Sequence, residues 1–194
     1  MPKLVQAVMH AATLSSHEQP QLTTRGLQLR PWIRSDAEAV CRAYEDPAIQ
    51  QWHGRTMTSS EANEWIAHWR SRWENGSGAG WAIVCNGHLM GQISLRRIDL
   101  PSGLAELSYW VLPEGRGLGV ASGALQGLTK WSFHSGFHRL ELAHAVSNES
   151  SCRVASKCGF ALEGVKRSQA LHIDGWHDMH VHARIREDEP SLAK

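Results

Sequence analysis

Disulfide-forming patterns are missing from this chain. Its 194 residues hold four cysteines, Cys41, Cys85, Cys152 and Cys158. None forms a Cys-x-x-Cys pair, and all fall in stretches that read as regular elements, so a reduced, cytoplasmic protein fits better than a disulfide scaffold. Apolar runs long enough to span a bilayer are absent as well. The leading MPKLVQAVMHAATL is interrupted by Gln6 and His10, so neither an anchor nor a signal peptide is expected. Charge of one sign is not in excess: a formal net of +1 gives no ground for nucleic acid or a membrane as partner. Two phosphate-binding signatures are also lacking, Gly-x-Gly-x-x-Gly and a glycine turn followed by Gly-Lys-Ser/Thr. What is left is enough chain for one well-buried domain, residues 21–188, with an appendage over 1–20 and a charged tail over 189–194.

Glycine is concentrated where it matters most. A strand-like run, in which Leu107, Tyr109 and Val111 alternate with Ser108 and Trp110, stops at Pro113. A turn broken by Gly115, Gly117 and Gly119 follows, and a helix-like run begins near Gly117. Strand, glycine turn and helix in that order place free backbone N–H groups at the positive end of a helix, which is an anion site. Gly117 and Gly119 lack a Cβ and let the main chain approach phosphate oxygens. Ala121 and Ser122 keep the first helical turn open to a bulky ligand. A plain strand-to-helix connection is the alternative.

The remaining pattern is mixed α/β. Gly26 to Trp32 alternates as a first strand ended by Pro31. Capping boxes, Ser-x-x-Glu at Ser35/Glu38 and Thr-x-x-Glu at Thr58/Glu61, open two helices, the first stopped by Asp46-Pro47. The second carries Ala62, Trp65, Ile66, Trp69 and Trp73 at helical spacing, a core stripe. Trp52 and His53 read as loop residues between the two, where binding groups tend to sit. Asn86-Gly87 predicts a hairpin, and His138 to Val146 a later strand. Asn148 and the serines behind it cap a short helix closed by Gly159. Two final strands joined by Asp174-Gly175 would set His172 opposite His177, with His180 and His182 sharing a face. With no further ligand evident beyond Asp178, no metal is expected.

Arg116, Gly119 and Ala121 fit Arg/Gln-x-x-Gly-x-Gly/Ala, and about thirty residues on comes Asn148 to Phe160, an Asn-x-x-Ser helix ending in Gly-Phe. Together these resemble the GCN5-related N-acetyltransferases, specifically their RimJ/RimL-type ribosomal-protein branch, over residues 25 to 185. The resemblance implies a mixed central sheet of about seven strands with a splayed fourth and fifth pair, and about four helices. It implies acetyl-CoA as cosubstrate. Trp110, Val111 and Leu112 would hold the pantetheine arm, and Arg116, Gly117, Leu118, Gly119, Val120, Ala121 and Ser122 the pyrophosphate. Asn148 would reach the pantetheine, and Ser151 would protonate the CoA thiolate, although helix capping also accounts for it. Glu106, in Ala105-Glu106-Leu107-Ser108-Tyr109-Trp110, is a candidate base through water and a candidate acceptor contact; a structural carboxylate is the alternative. Trp52 and His53 would touch the amine acceptor.

Two departures stand out. Ser108 replaces the usual glycine, and Lys166 to Ala170 lacks the acidic residue that some ribosomal-protein acetyltransferases place there. The implied activity is N-acetyl transfer to a protein N-terminus or a small-molecule amine, and the implied assembly is a homodimer. A longer acyl donor such as succinyl-CoA, and a non-catalytic acyl-CoA-binding module, stay open as alternatives.

Overall fold

The computed structural model describes residues 4–10 and 12–188. The expected tail, and residues 1–3 and 11 of the expected appendage, lie outside them. From the N-terminus the elements are α1 (Ala12–Ser15), β1 (Leu22–Thr24), β2 (Leu27–Pro31), α2 (Ala37–Glu45), α3 (Pro47–His53), α4 (Ser59–Glu74), β3 (Ala79–Cys85), β4 (His88–Asp99) and β5 (Leu104–Val111). They continue with α5 (Val120–His134), β6 (Arg139–Ala145), α6 (Glu149–Lys157), β7 (Ala161–His172) and β8 (Gly175–Ile185). The strands form one sheet of eight in the order β1-β2-β3-β4-β5-β6-β8-β7. The count exceeds the expected seven because β1 pairs with β2, and the short α1 and α3 raise the helices above four. No described helix is long and apolar enough to cross a membrane.

All neighbouring strands run antiparallel except β5 and β6. That pair is parallel because α5 carries the chain back across the sheet between them, as a parallel connection requires. Helices cover both faces, so strands at the centre are apolar on both sides. Trp81 and Ile83 of β3 point into the core with Leu125 and Leu128 of α5. Ala82 and Val84, one residue out of phase, join Val40 of α2, Ile49 of α3 and Trp69 of α4.

Local signals held unevenly. Thr58 and Glu61 form the expected reciprocal cap, with the Thr58 N–H donating to Glu61 Oε2 at 2.7 Å. Asn86 and Gly87 both take positive φ, 49° and 79°, as a tight hairpin turn demands. The Ser35/Glu38 box does not form: a 3-10 turn over Arg34–Asp36 precedes α2. There Asp36 is gripped at both oxygens by Arg30, at 2.7 and 2.8 Å, and accepts the Ile33 N–H at 3.0 Å. Nor is the N-terminal segment free-standing where it is described. Met9 and Leu14 are buried, and the Trp81 and Trp73 indoles donate to the Pro20 and His17 carbonyls, each at 2.8 Å.

Two further corrections concern helix starts and hairpin register. The fifth helix begins at Val120, not Gly117. The final turn is Ile173-Asp174, so His172 pairs with Gly175 and His177 with Ala170. Gly175, at φ 123°, takes the strand position that a two-residue Asp-Gly turn would have used.

Candidate active site

Parallel pairing between β5 and β6 runs from Leu104/Arg139 to Leu107/Leu142 and stops. Both strands continue, β5 to Val111 and β6 to Ala145, so their facing edges part and Ser108 to Val111 lie beyond the β5–β6 ladder. A buried unpaired edge is costly unless a ligand or solvent satisfies it. The opening is continuous with a cleft of about 560 Å³.

One end of the cleft is the glycine turn. Gly117 and Gly119 both adopt the left-handed conformation, at φ 76° and 77°, which other residues rarely tolerate. Gly119 is thereby the N-cap of α5 and supplies no side chain there. The first-turn amides face a ligand cavity instead of a capping oxygen. The Ser122 hydroxyl donates back to the Gly119 carbonyl at 3.0 Å. Arg116 lines this end, where its guanidinium pairs with Asp46 at 2.6 Å and its Nε donates to the Val111 carbonyl at 3.2 Å. The pairing holds Asp46 below the usual carboxylate range. Asp46 also caps α3, so one ion pair links the turn to the helix that forms the opposite wall. Arg153 and Lys157, one turn apart on α6, add positive charge to the same cleft.

The middle of the cleft contains a hydroxyl pair. Asn148 caps α6, its Oδ1 accepting the Ser151 N–H at 3.1 Å. This directs Ser151 across the parted strands, where its Oγ lies 2.8 Å from the Tyr109 hydroxyl. Burial pushes the Tyr109 phenol up to about 12, partly offset by the Ser151 hydrogen bond. Tyr109 therefore stays protonated throughout the physiological range.

At the far end lie Trp52 and His53. They occupy the last turn of α3, capped by Gly54, rather than a loop; Asp46-Pro47 is both the stop of one helix and the start of the next. Rings of His172 and His177, at the β7–β8 tip, approach Trp52 to 5.6 and 6.1 Å. His53 is pushed down to about 4 by burial, then by the charges of Arg96 and Arg55 and by His172, against a backbone hydrogen bond at Tyr109. It is neutral at pH 7. Because its folded value lies below the ordinary 6.5, its contribution to stability is complete above about pH 6.5 and is lost as the pH falls towards 4. The stability difference between the wild-type protein and His53→Gln should accordingly shrink by on the order of 2 kcal/mol between pH 7 and 4. Urea unfolding at both pH values measures it; a constant difference would contradict a neutral, buried His53.

The cleft therefore gathers Trp52, His53, Trp110, Val111, Arg116, Gly117, Gly119, Val120, Ala121, Ser122, Asn148 and Ser151. Three expected residues are not among its lining. Leu112 is buried in the core beneath α2 and α4, and Leu118 is 73% exposed at the apex of the turn. Glu106 stands four residues before Trp110 on the same sheet face, ion-paired with Arg97 at 3.2 Å and Arg96 at 3.6 Å. Sequence reasoning missed Tyr109, which its alternation marked only as part of a strand, and Arg153 and Lys157, whose i, i+4 spacing on a capped helix was the available signal. No Asp or Glu lines the cleft among the described residues.

Residues 26–161 match the family model described as acetyltransferase (GNAT) domain. YdaF of Bacillus subtilis (strain 168) is 32% identical over 113 residues, 58% of this chain and 61% of its own. The ribosomal-protein-serine acetyltransferase of Escherichia coli (strain K12) is 34% identical over 102 residues, 52% of this chain and 57% of its own. The chain thus matches about three fifths of the length of these two relatives. Among solved structures, RimL, the ribosomal L7/L12 alpha-N-protein acetyltransferase in complex with coenzyme A, superposes with a TM-score of 0.80 at 22% identity. It covers 86% of this chain and 98% of RimL. Mycobacterium smegmatis RimJ in complex with CoA-disulfide gives 0.79 at 23% identity, with 88% of each chain covered. At these identities the likeness speaks for the fold.

Proposed function

Because this chain belongs to the GNAT acetyltransferase family, we propose that it moves the acetyl group of acetyl-CoA to a primary amine by direct attack within a ternary complex. The observation that carries the proposal is the parting of β5 from β6 between the left-handed glycine turn and the Tyr109–Ser151 pair. It offers a diphosphate cradle, a strand edge beyond the β5–β6 ladder for an extended amide-bearing arm, and hydroxyls beyond that, in one line. Acetyl-CoA presents its groups in that order. Arg116 leaves Asp46 for the phosphates when the donor binds, while Arg153 and Lys157 supply further charge. The transfer calls for no metal.

Attack needs a neutral amine, and the cleft holds no carboxylate to take the ammonium proton. Arg55 and Arg96, which depress His53, depress a bound ammonium in the same way. An α-amine, with an ordinary pKa near 8, then reaches the neutral state far more readily than a lysine at about 10.4. This supports a protein N-terminus as acceptor, of the ribosomal-protein kind for which the E. coli relative is named, bound between Trp52 and His53. Glu106, committed to two arginines, is assigned to holding β4 and β5 together rather than to proton transfer.

As the C–N bond forms and the C–S bond breaks, nitrogen must shed one proton and sulfur gain one. The Tyr109–Ser151 pair lies where it can relay that proton. A phenol at about 12 is too weak an acid to be left ionised by a thiolate with a pKa near 8.5. The pair therefore acts by hydrogen-bonding the departing sulfur while the proton passes through. A cytoplasmic location, in keeping with four free thiols, and a homodimer complete the proposal.

Thiol release from acetyl-CoA, measured with ribosomal-protein N-terminal peptides, their Nα-blocked lysine-containing counterparts and small amines, tests the reading. Release that depends on a free α-amine is the expected result. Donor binding without release in any arm, with succinyl-CoA giving none either, would leave only the binding module.

A further inference from the structure

The sheet face beneath α6 carries a cluster of chemistry-bearing side chains that acetyl transfer does not use. Strand pairing sets His144 of β6 directly across from His180 of β8, and Leu142 across from His182. All three imidazoles consequently share one face of two adjacent strands. Helix α6 lays Cys152 over them, its Sγ 3.9 Å from His182 Nε2. One ligand atom from each of the four residues lies within 4.8 Å of every other.

The hydrogen bonds around the cluster prepare these rings to coordinate. A carbonyl only accepts, so the contacts of His144 Nδ1 with Ala145 O at 2.8 Å and of His182 Nδ1 with Phe160 O at 3.2 Å place the proton on Nδ1 in both rings. Each Nε2 is then left with a free lone pair. Metal-binding histidines are commonly oriented and fixed in tautomer by such a bond behind the ring. The inward atoms have little else to do: His144 Nε2 and His180 Nδ1 are buried without a hydrogen-bond partner. His144 and His182 are 5% and 1% exposed. Unpaired lone pairs in a buried site are unfavourable without an ion or a donor.

We propose that His144, Cys152, His180 and His182 form a tetrahedral Zn2+ site that clamps α6 to β6 and β8. Three imidazoles and a thiolate suit zinc and provide no oxygen for magnesium or calcium. Four protein ligands close the coordination sphere, the arrangement of structural rather than catalytic zinc. Zinc–nitrogen bonds near 2.05 Å require ligand atoms about 3.4 Å apart, so from a spread of up to 4.8 Å side-chain rotation has at most about 1.4 Å of separation to take up. Binding converts the Cys152 thiol to thiolate and releases its proton to solvent. Partly exposed Cys152 and His180 provide the path in. The ion would fix the helix on which Ser151 stands, one residue from a ligand. Asp178, the only acidic partner apparent in sequence, is engaged elsewhere, accepting the Ser168 N–H at 2.8 Å.

The test uses the full chain, freed of metal with a chelator and desalted, titrated with Co2+ and then Zn2+. One equivalent of Co2+ should bind with tetrahedral ligand-field intensity and a thiolate-to-cobalt absorption, and one equivalent of Zn2+ should displace it and raise the Tm. Cys152→Ser should abolish the thiolate band and weaken Zn2+ at least about 100-fold. His182→Gln should weaken Zn2+ to a similar extent while the thiolate band persists at saturating Co2+, and Cys152→Ala, at a half-buried position, guards against a result caused by misfolding. His177→Ala, which removes the separate His172–His177–Asp174 group, should leave binding unchanged. Failure to bind Zn2+ stoichiometrically at micromolar concentration would overturn the proposal. So would an octahedral Co2+ spectrum, or binding that survives Cys152→Ser and vanishes in His177→Ala.

Discussion

Ser151→Ala is expected to lower kcat for acetyl transfer by about 100-fold or more, the usual scale for losing a positioned proton donor, while KM for acetyl-CoA changes by less than about threefold. Ser151 caps nothing with its own hydroxyl: the Asn148 side chain holds the start of α6 through the Ser151 backbone N–H, and alanine keeps that N–H. What alanine removes is the Oγ that faces Tyr109 at 2.8 Å. Tyr109→Phe should produce a loss of similar size, and the double variant little more than either alone, because both hydroxyls belong to one relay. Steady-state kinetics with saturating acceptor, together with CoA affinity by calorimetry, separate the effects. A fall in affinity with kcat unchanged would make the pair a donor-binding contact and remove it from proton transfer.

Gly119→Val should weaken acetyl-CoA binding by about 100-fold or more. The position takes φ 77°, and a β-branched residue there is a marked outlier. The effect is not one of crowding within the protein: an added Cβ would meet only Ser122 Oγ, at 3.8 Å. Valine instead drives the turn out of the left-handed region, so that the first amides of α5 no longer converge, and it places methyl groups where the phosphates come. Gly119→Ala, with strain but less bulk, should cost about tenfold. Because the turn lies at the cleft wall rather than in either core, the loss of Tm should be limited to the backbone strain, on the order of a few degrees. Calorimetric titration with CoA and with desulfo-CoA measures the loss; undiminished affinity in Gly119→Val would exclude the glycine turn as the diphosphate site.

Features carried by contiguous residues were open to sequence reasoning. The glycine turn, the Thr58/Glu61 cap, the Asn86-Gly87 hairpin and the Asn148-capped helix each rest on neighbours within four positions, where spacing alone fixes which atoms meet. The same logic misjudged places where two local solutions compete. Ser35 offered a cap, but Arg30 and the Ile33 N–H hold Asp36 instead. Trp52 and His53 looked like loop residues because Asp46-Pro47 ends one helix, although the same pair starts another. In the last hairpin, Gly175 fits either the turn or the strand, and a shift by one residue changes every cross-strand partner.

The sequence by itself determined the mixed α/β architecture through its periodicity, the glycine turn at one end of the cleft through backbone freedom that only glycine supplies, and the family through the resemblance of its two motifs. Tertiary structure alone decided the chemistry at the other end. Whether Tyr109 meets Ser151 depends on where β5 and β6 cease to pair. Glu106 lies outside the cleft lining and pairs with arginines on β4. His144, Cys152 and His182 become neighbours only because β8 inserts between β6 and β7 while α6 crosses above them. Such contacts join residues from eight to more than forty positions apart on different elements, and their geometry is set by sheet order and strand register, which local spacing does not encode.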